Sequence, residues 1–294
     1  MTQNNVTHLY KPVELTEDDV WVDDEKIYRY RTNNEPATGN LTVYQDEEQT
    51  QIGLKSGLLG GLRHGAAELF HDNGLLKEAA FYRNGKRDWT SEHFDEEGNL
   101  LYFRSWLNGE LHGVIEKYDK RGNVMAKSGY QSGKRHGICE HYYRHRVIRF
   151  QGHYLNNKAH GECTWYFEDG SIQEKASFDI GVPVGQWESY HENGNLESAT
   201  SYDKGKPIGE WRIFSESSVL RHIGNYIEGK REGSFFWYHP NGTLEAERRF
   251  ISGKQDGPVR HFDEKGRLLR EEMFEGKTKV SDLNYLRGKP FFSS

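Results

Sequence analysis

The chain has 294 residues, of which 32 are glycine, 17 tyrosine, 15 phenylalanine and 7 tryptophan, against only 7 prolines and 3 methionines. Glycine at about 11%, where about 7% is usual, excludes a helical bundle, and the aromatic content excludes a disordered or collagen-like chain. The formal net charge is −6 with a pI near 6.2 and a mean hydropathy of −0.92, so no global basic footprint for nucleic acid is present.

In chain order, residues 1–19 read as a lead-in. Met1 to Tyr10 shows no basic stretch followed by an apolar core, so no signal peptide is expected. No apolar run approaches the roughly 20 residues of a membrane-spanning helix, and the expected location is the cytoplasm. Residues 20–60 precede a regular pattern that fills 61–276, and 277–294 form a C-terminal cap or tail. The cysteines, Cys139 and Cys163, are too few for a disulfide framework.

The regular pattern is a 24-residue repeat. Glycines stand at 61, 85, 109, 133, 181, 205, 229 and 253, with Asn157 in the one gap. A second series follows four residues later at 65, 113, 137, 161, 185, 209, 233 and 257, with Trp89 as its exception. A third holds Gly74, Gly98, Gly122, Gly170, Gly194, Gly242 and Gly266, broken by Arg146 and Ser218. Aromatic residues recur from Phe70 to Phe262 and from Tyr82 to Phe274, and aliphatic ones from Leu76 to Leu268, through nine copies without insertion. Such a period signals a repeat architecture.

One unit reads as a hairpin. In His191-Glu192-Asn193-Gly194-Asn195 a three-residue loop ending in a left-handed glycine places Tyr190 opposite Leu196. Strand alternation then assigns Tyr202 to the same face. Gly205-Lys206-Pro207-Ile208-Gly209 is the second tight turn. A lone hairpin is marginal in water, so neighbours must stack into one ribbon-shaped core. The expected fold is all-β: an elongated, twisted antiparallel sheet of stacked 24-residue hairpins, without an enclosed globular core, running ~85 Å at ~4.8 Å per strand.

Gly185-Gln186-Trp187-Glu188-Ser189-Tyr190-His191-Glu192-Asn193-Gly194-Asn195-Leu196, with its echoes in Gly209-Glu210-Trp211 and Tyr238-His239-Pro240-Asn241-Gly242, resembles the MORN repeat, specifically the variant of bacterial YwqK-like antitoxin proteins. Asp23 to Tyr30 and Glu35 to Gly39 resemble that family's opening strand and first turn, and Gly39 to Leu58 an irregular first repeat. The resemblance implies a protein that binds and neutralises a cognate toxin. The alternative it implies, favoured less, is a structural or membrane-associated scaffold.

His64, His112, His136 and His160 share one register, but equivalent residues of adjacent repeats lie ~9.6 Å apart, too far to share a metal ion; turn capping is the expected role. The cysteines, one repeat apart, exceed the disulfide span. Nucleophile-elbow, zinc-protease and phosphate-loop motifs are lacking, so the expectations are no enzyme, no cofactor and no specific nucleic acid. Ideal alternation places Trp187 away from Tyr190, together with Trp165, Trp211, Ile213, Phe235 and Trp237, as an exposed stripe able to hold a protein partner. The alternative is a bulge after the tryptophan, which turns the stripe into the core. Tyr143, Arg144, His145 and Arg146 form a basic, aromatic hairpin tip where the turn glycine is lost, a second candidate contact. The turns also sort by charge, acidic from Asp95 to Glu264 along one edge and basic from Lys86 to Lys254 along the other, which suits solubility.

Overall fold

The computed structural model describes residues 13–276, 278–286 and 289–291. The fold is all-β, built from consecutive antiparallel hairpins. Residues 1–12 of the lead-in and residues 277, 287–288 and 292–294 of the tail lie outside the described residues. Two compact units emerge: one runs up to Gly137 and includes Arg144–Arg146; the other comprises Ile138–Tyr143 and the chain from Val147.

The first unit opens with two short strands, Val20–Val22 and Tyr28–Tyr30, paired antiparallel. Glu14–Thr16 pairs in parallel with Gly39–Tyr44, covering the edge of the first hairpin. These segments enclose a small apolar cluster of Leu15, Val20, Ala37, Leu41 and Leu58, with Tyr28, Tyr30 and Val43 packed against it. An uncovered edge would offer unpaired backbone groups to other chains, and this cluster buries that hazard. Beyond it the strands Leu62–Phe70, Leu76–Arg83, Lys86–Phe94 and Leu100–Leu107 pair in chain order.

In the second unit the same alternation of nine- and eight-residue strands continues, for example Val182–Tyr190, Leu196–Asp203 and Lys206–Phe214. It ends with Thr278–Leu286 pairing back onto Leu268–Glu275 and forward onto Lys289–Phe291.

Each repeat carries two breaks in register. Tyr190 faces Leu196, as the loop chemistry predicts, but Ser189 faces Ser198, leaving Glu197 as an extra residue. On the other side Lys175 faces Glu188 while Ser177 faces Val184, so three residues, 185 to 187, oppose Ala176 alone. The left-handed backbone of Gly185, at φ 70°, makes the second bulge. The first bulge inverts the parity of everything beyond it. Trp187 therefore shares a face with Tyr202, their ring centroids 5.3 Å apart. Tyr190 lies on the opposite face, where its hydroxyl donates to Glu188 at 2.6 Å. The expectation that Tyr190, Leu196 and Tyr202 share one face is thus corrected: Glu197 separates the first two from the third.

The repeats are stitched along both rims. At one rim the turn glycine donates its N–H to a carbonyl of the preceding repeat, Gly85 to Arg63 and Gly205 to Pro183, at 2.8 and 2.9 Å. At the other rim His71, His191 and His239 contact the carbonyls of Phe94, Phe214 and Phe262 through Nε2 at 3.0–3.1 Å. Asn73, Asn193 and Asn241 donate their side-chain amides to Glu96, Glu216 and Glu264 of the next loop. Where aspartate replaces the histidine, as at Asp95, Asp119 and Asp263, the carboxylate caps its own loop instead. A His-x-Asn-Gly loop thus ties repeat to repeat, whereas an Asp loop closes on itself.

Candidate functional site

The aromatic row of the second unit is packed rather than displayed. Phe235 is 0% exposed and is the largest fully buried side chain described. Its ring meets Trp211, Tyr226, Trp237 and Phe250 at centroid distances of 5.1–6.4 Å. Arg231 lies over Phe235 and Phe250, a cation against ring faces. Room for these rings comes from small residues opposite. A Cβ on Gly224 would fall 2.2 Å from Phe235 ring atoms, and Ala176 and Ala246 are buried in the same rows.

Trp165 packs on Phe150, above the buried pair Cys139 and Cys163. Trp187 packs on Phe178 and its indole N–H bonds Glu174. Trp165, Trp187, Trp211, Ile213 and Trp237 are all half-buried. The exposed stripe expected of Trp165, Trp187, Trp211, Ile213, Phe235 and Trp237 is therefore corrected. The parity switch at the bulge turns them onto the face carrying Phe178, Tyr202 and Tyr226, where they form the core.

The tip at 143–146 divides into two roles. Tyr143 is not part of a displayed tip: it is half-buried, and its hydroxyl donates to the carbonyl of Tyr166 at 3.0 Å. It occupies the register of His71, His191 and His239 and makes the same kind of bond to the next hairpin. Arg144, His145 and Arg146 are exposed. His145 and Arg146 take left-handed backbone, at φ 67° and 65°, in place of a glycine turn. Arg144 and His145 line an open hollow of about 330 Å³ with Asp119, Lys120, Arg121, Asn123 and Met125. Neither Arg144 nor Arg146 forms an ion pair among the described residues.

The histidine register holds no group of three or more ligating side chains, and no such group occurs among the described residues. His160 instead approaches Asp179 at 3.4 Å. In the same register three acids cap the following turn: Asp88, Glu232 and Asp256 accept the N–H of Asn108, Ser252 and Gly276. Both cysteines are free and buried, and burial pushes the Cys163 thiol up from its ordinary pKa. No helix is long and apolar enough to cross a membrane among the described residues.

On the face opposite the aromatic row, glutamates two residues before a tyrosine receive its hydroxyl, at Glu116–Tyr118, Glu140–Tyr142 and Glu188–Tyr190. The bond to Glu188 and then burial push the Tyr190 phenol up to about 12. Burial and then Glu116 push Tyr118 to about 12 as well.

With hairpin, bulge and glycine turn in place, comparison with known proteins is informative. Residues 159–179, 183–204 and 231–251 match the family model described as the MORN repeat variant. These segments are MORN-variant repeats. No curated protein matches the chain. Among solved structures, the crystal structure of TcdB2-TccC3-Cdc42 is 11% identical over 89% of this chain and 18% of that one, with a TM-score of 0.20. The crystal structure of TcdB2-TccC3 is 13% identical over 89% of this chain and 19% of that one, with a TM-score of 0.16. The chain spans less than a fifth of these chains' length, and a likeness at these TM-scores carries no argument about this molecule.

Trp89 stands where the other eight repeats have the second glycine. It takes the same left-handed backbone, at φ 69°, and is 61% exposed. The break in the glycine series was the signal that could have found it.

Proposed function

We propose that this is a non-enzymatic, cytoplasmic binding protein, an antitoxin or immunity protein that neutralises a cognate toxin by direct contact, with Arg144 and Arg146 at that contact. The observation that carries this reading is the tip itself. Two successive non-glycine residues, His145 and Arg146, hold left-handed backbone there. Among the described residues, their side chains and that of Arg144 form no ion pair. Backbone strain held at an exposed, unpaired cationic turn fits a contact surface, and the fitting partner presents acidic groups. The lysines of the opposite rim have a structural task. The stems of Lys86, Lys158, Lys206 and Lys230 lie 3.5–3.6 Å from where a Cβ would stand on Gly109, Gly181, Gly229 and Gly253.

The test is to purify the stoichiometric protein partner from the native source and measure its affinity for wild type and for Arg144→Glu combined with Arg146→Glu. The expected result is a loss of about tenfold or more, as for charge reversal at a contact, with unchanged thermal unfolding. Unchanged affinity and unchanged salt dependence overturn the contact. A partner whose expression is harmless without this protein overturns the antitoxin role.

A further inference from the structure

We propose that Trp89, Phe81 and Glu92 form a second recognition site, one that receives an arginine side chain from a protein partner. The proposal does not rest on the tip at Arg144–Arg146 or on the antitoxin reading.

A bulky residue with positive φ is a genuine conformational outlier. At the equivalent position, Gly65, Gly113, Gly137, Gly161, Gly185, Gly209, Gly233 and Gly257 adopt φ between 68° and 94° without that penalty. Trp89 accepts the strain and still leaves more than half of its surface in water. Burial therefore does not explain it.

Its geometry explains what the strain achieves. At equivalent glycines an added Cβ would point at the residue on the preceding strand, Ser105 for Gly113 and Ser177 for Gly185. Phe81 occupies that position for Trp89. The two rings stack with centroids 4.7 Å apart and planes 12° from parallel. Phe81 is the one phenylalanine of its register, since the equivalent positions hold Gly57, Ser105, Gly129, His153, Ser177, Ser201, Asn225, Arg249 and Met273. Both members of the pair thus depart from the pattern in one repeat. Phe81 backs one face of the indole and leaves the other open.

The charge beside this plate selects the occupant. Glu92 faces Ala79 across the ladder, two residues from Phe81 on the same strand and face. In the Glu-x-Tyr repeats the carboxylate is occupied by the tyrosine hydroxyl; here the second residue on is Phe94, which has none. Glu92 makes no ion pair among the described residues. Two cations of this face are already engaged: Arg83 pairs with Asp88 at 3.0 Å and Lys127 with Glu116 at 2.9 Å. An open indole face beside a carboxylate with no ion-pair partner among the described residues is complementary to a guanidinium, which stacks on the ring and bonds the acid.

The experiment uses the full chain with 5-fluorotryptophan at all seven tryptophans, followed by ¹⁹F NMR. Trp89→Gly, which restores the residue of the other repeats, assigns the Trp89 resonance and is expected not to lower the unfolding temperature. The probe is the peptide Ac-Gly-Arg-Leu-Arg-Gly-NH2, with its glutamate counterpart as control. The Trp89 resonance is expected to shift saturably with the arginine peptide and not with the glutamate one. Glu92→Gln and Phe81→Ser should each weaken the response about threefold to fivefold, as for one exposed cation–π or charged contact. These two variants carry the test if Trp89→Gly does not fold. Equal shifts with both peptides, no shift with either, or a shift produced by raising protein concentration alone would overturn the proposal, the last because a second copy would then cover the ring.

Discussion

The two units place their aromatic side chains on opposite terms. At one register the first unit has Ala67, Ser91 and Ile115, while the second has Cys139, Cys163, Trp187, Trp211, Phe235 and Val259. In the second unit three large rings, Trp187, Trp211 and Phe235, stand in the row, with Ala176 or Gly224 on one side of each. In the first unit the row holds no ring, and the indole of Trp106 reaches across to donate to Ser91 Oγ at 2.9 Å. The other face shows the reverse. Phe81 and Trp89 are apolar in the first unit, whereas Ser177 and Ser201, and Gly185 and Gly209, hold those two registers in the second. One backbone thus supports a packed aromatic row in one unit and a partly displayed aromatic pair in the other. The repeat specifies the ladder and buries the same face in each unit, with Ala67, Ala80 and Ser91 in the first and Cys163, Ala176 and Phe235 in the second; the side chains in two or three registers decide what the other face displays.

Removing the ring that closes the second unit's row breaks this contrast most severely. Phe235→Ala is expected to cost about 3–5 kcal/mol, the range for truncating a fully buried phenylalanine, read by urea denaturation. Gly224→Ala attacks the same contact from below. Its Cβ falls 2.2 Å from the Phe235 ring, and overpacking of this kind costs about 1–3 kcal/mol. A loss under about 1 kcal/mol for Phe235→Ala would mean that the row is not the core. Trp211→Ala sharpens the same point: it should destabilise by about 2–3 kcal/mol, less than a full burial because the ring is half open. A folded, equally stable Trp211→Ala protein would restore the tryptophans as surface.

In the first unit the matching vulnerability is a charge. Asp88 is 1% exposed, pairs with Arg83 at 3.0 Å and accepts the Asn108 N–H at 3.1 Å. Asp88→Asn keeps an acceptor but leaves the guanidinium without its counter-ion. The expected cost is about 1–2 kcal/mol, below the value for a fully buried pair because Arg83 is half in water. Thermal unfolding of the variant and of Arg83→Gln in the same background checks this, since the second change should then cost little more.

These contrasts also show what the sequence made legible. The 24-residue period, the hairpin and the pairing of Tyr190 with Leu196 follow from glycine spacing and turn chemistry alone. The face assignment did not follow, because period-2 counting from Tyr190 to Tyr202 passes over Glu197, the residue that has no partner of its own. Glycine periodicity announces bulges but does not say which side chain they turn over. The basic tip was visible as a missing glycine. The bond of Tyr143 was not, because its acceptor, Tyr166, lies 23 residues away on a neighbouring hairpin. Trp89 was equally visible as a break in the pattern, but the value of a break depends on what stands opposite, and Phe81 is opposite only once the bulge is drawn.

The smallest effect concerns the glutamate–tyrosine pairs, which separate an occupied carboxylate such as Glu188 from a free one such as Glu92. Tyr190 has a folded-state pKa of about 12 against an ordinary 10.0, first because its hydroxyl donates to Glu188. A raised pKa means that the folded state holds the proton more tightly than the unfolded chain. The bond's contribution is therefore complete below about pH 10 and is lost as pH rises towards about 12. Tyr190→Phe should cost about 0.5–1 kcal/mol at neutral pH, as for one partly exposed hydrogen bond. The difference from wild type should vanish above about pH 12, where the wild-type phenol has also ionised. Difference absorbance at 295 nm should show one late-titrating phenol fewer in the variant. If Tyr190→Phe removes a phenol that titrates near pH 10, its hydroxyl is not held by Glu188. The distinction between occupied and free carboxylates would then lose its physical basis.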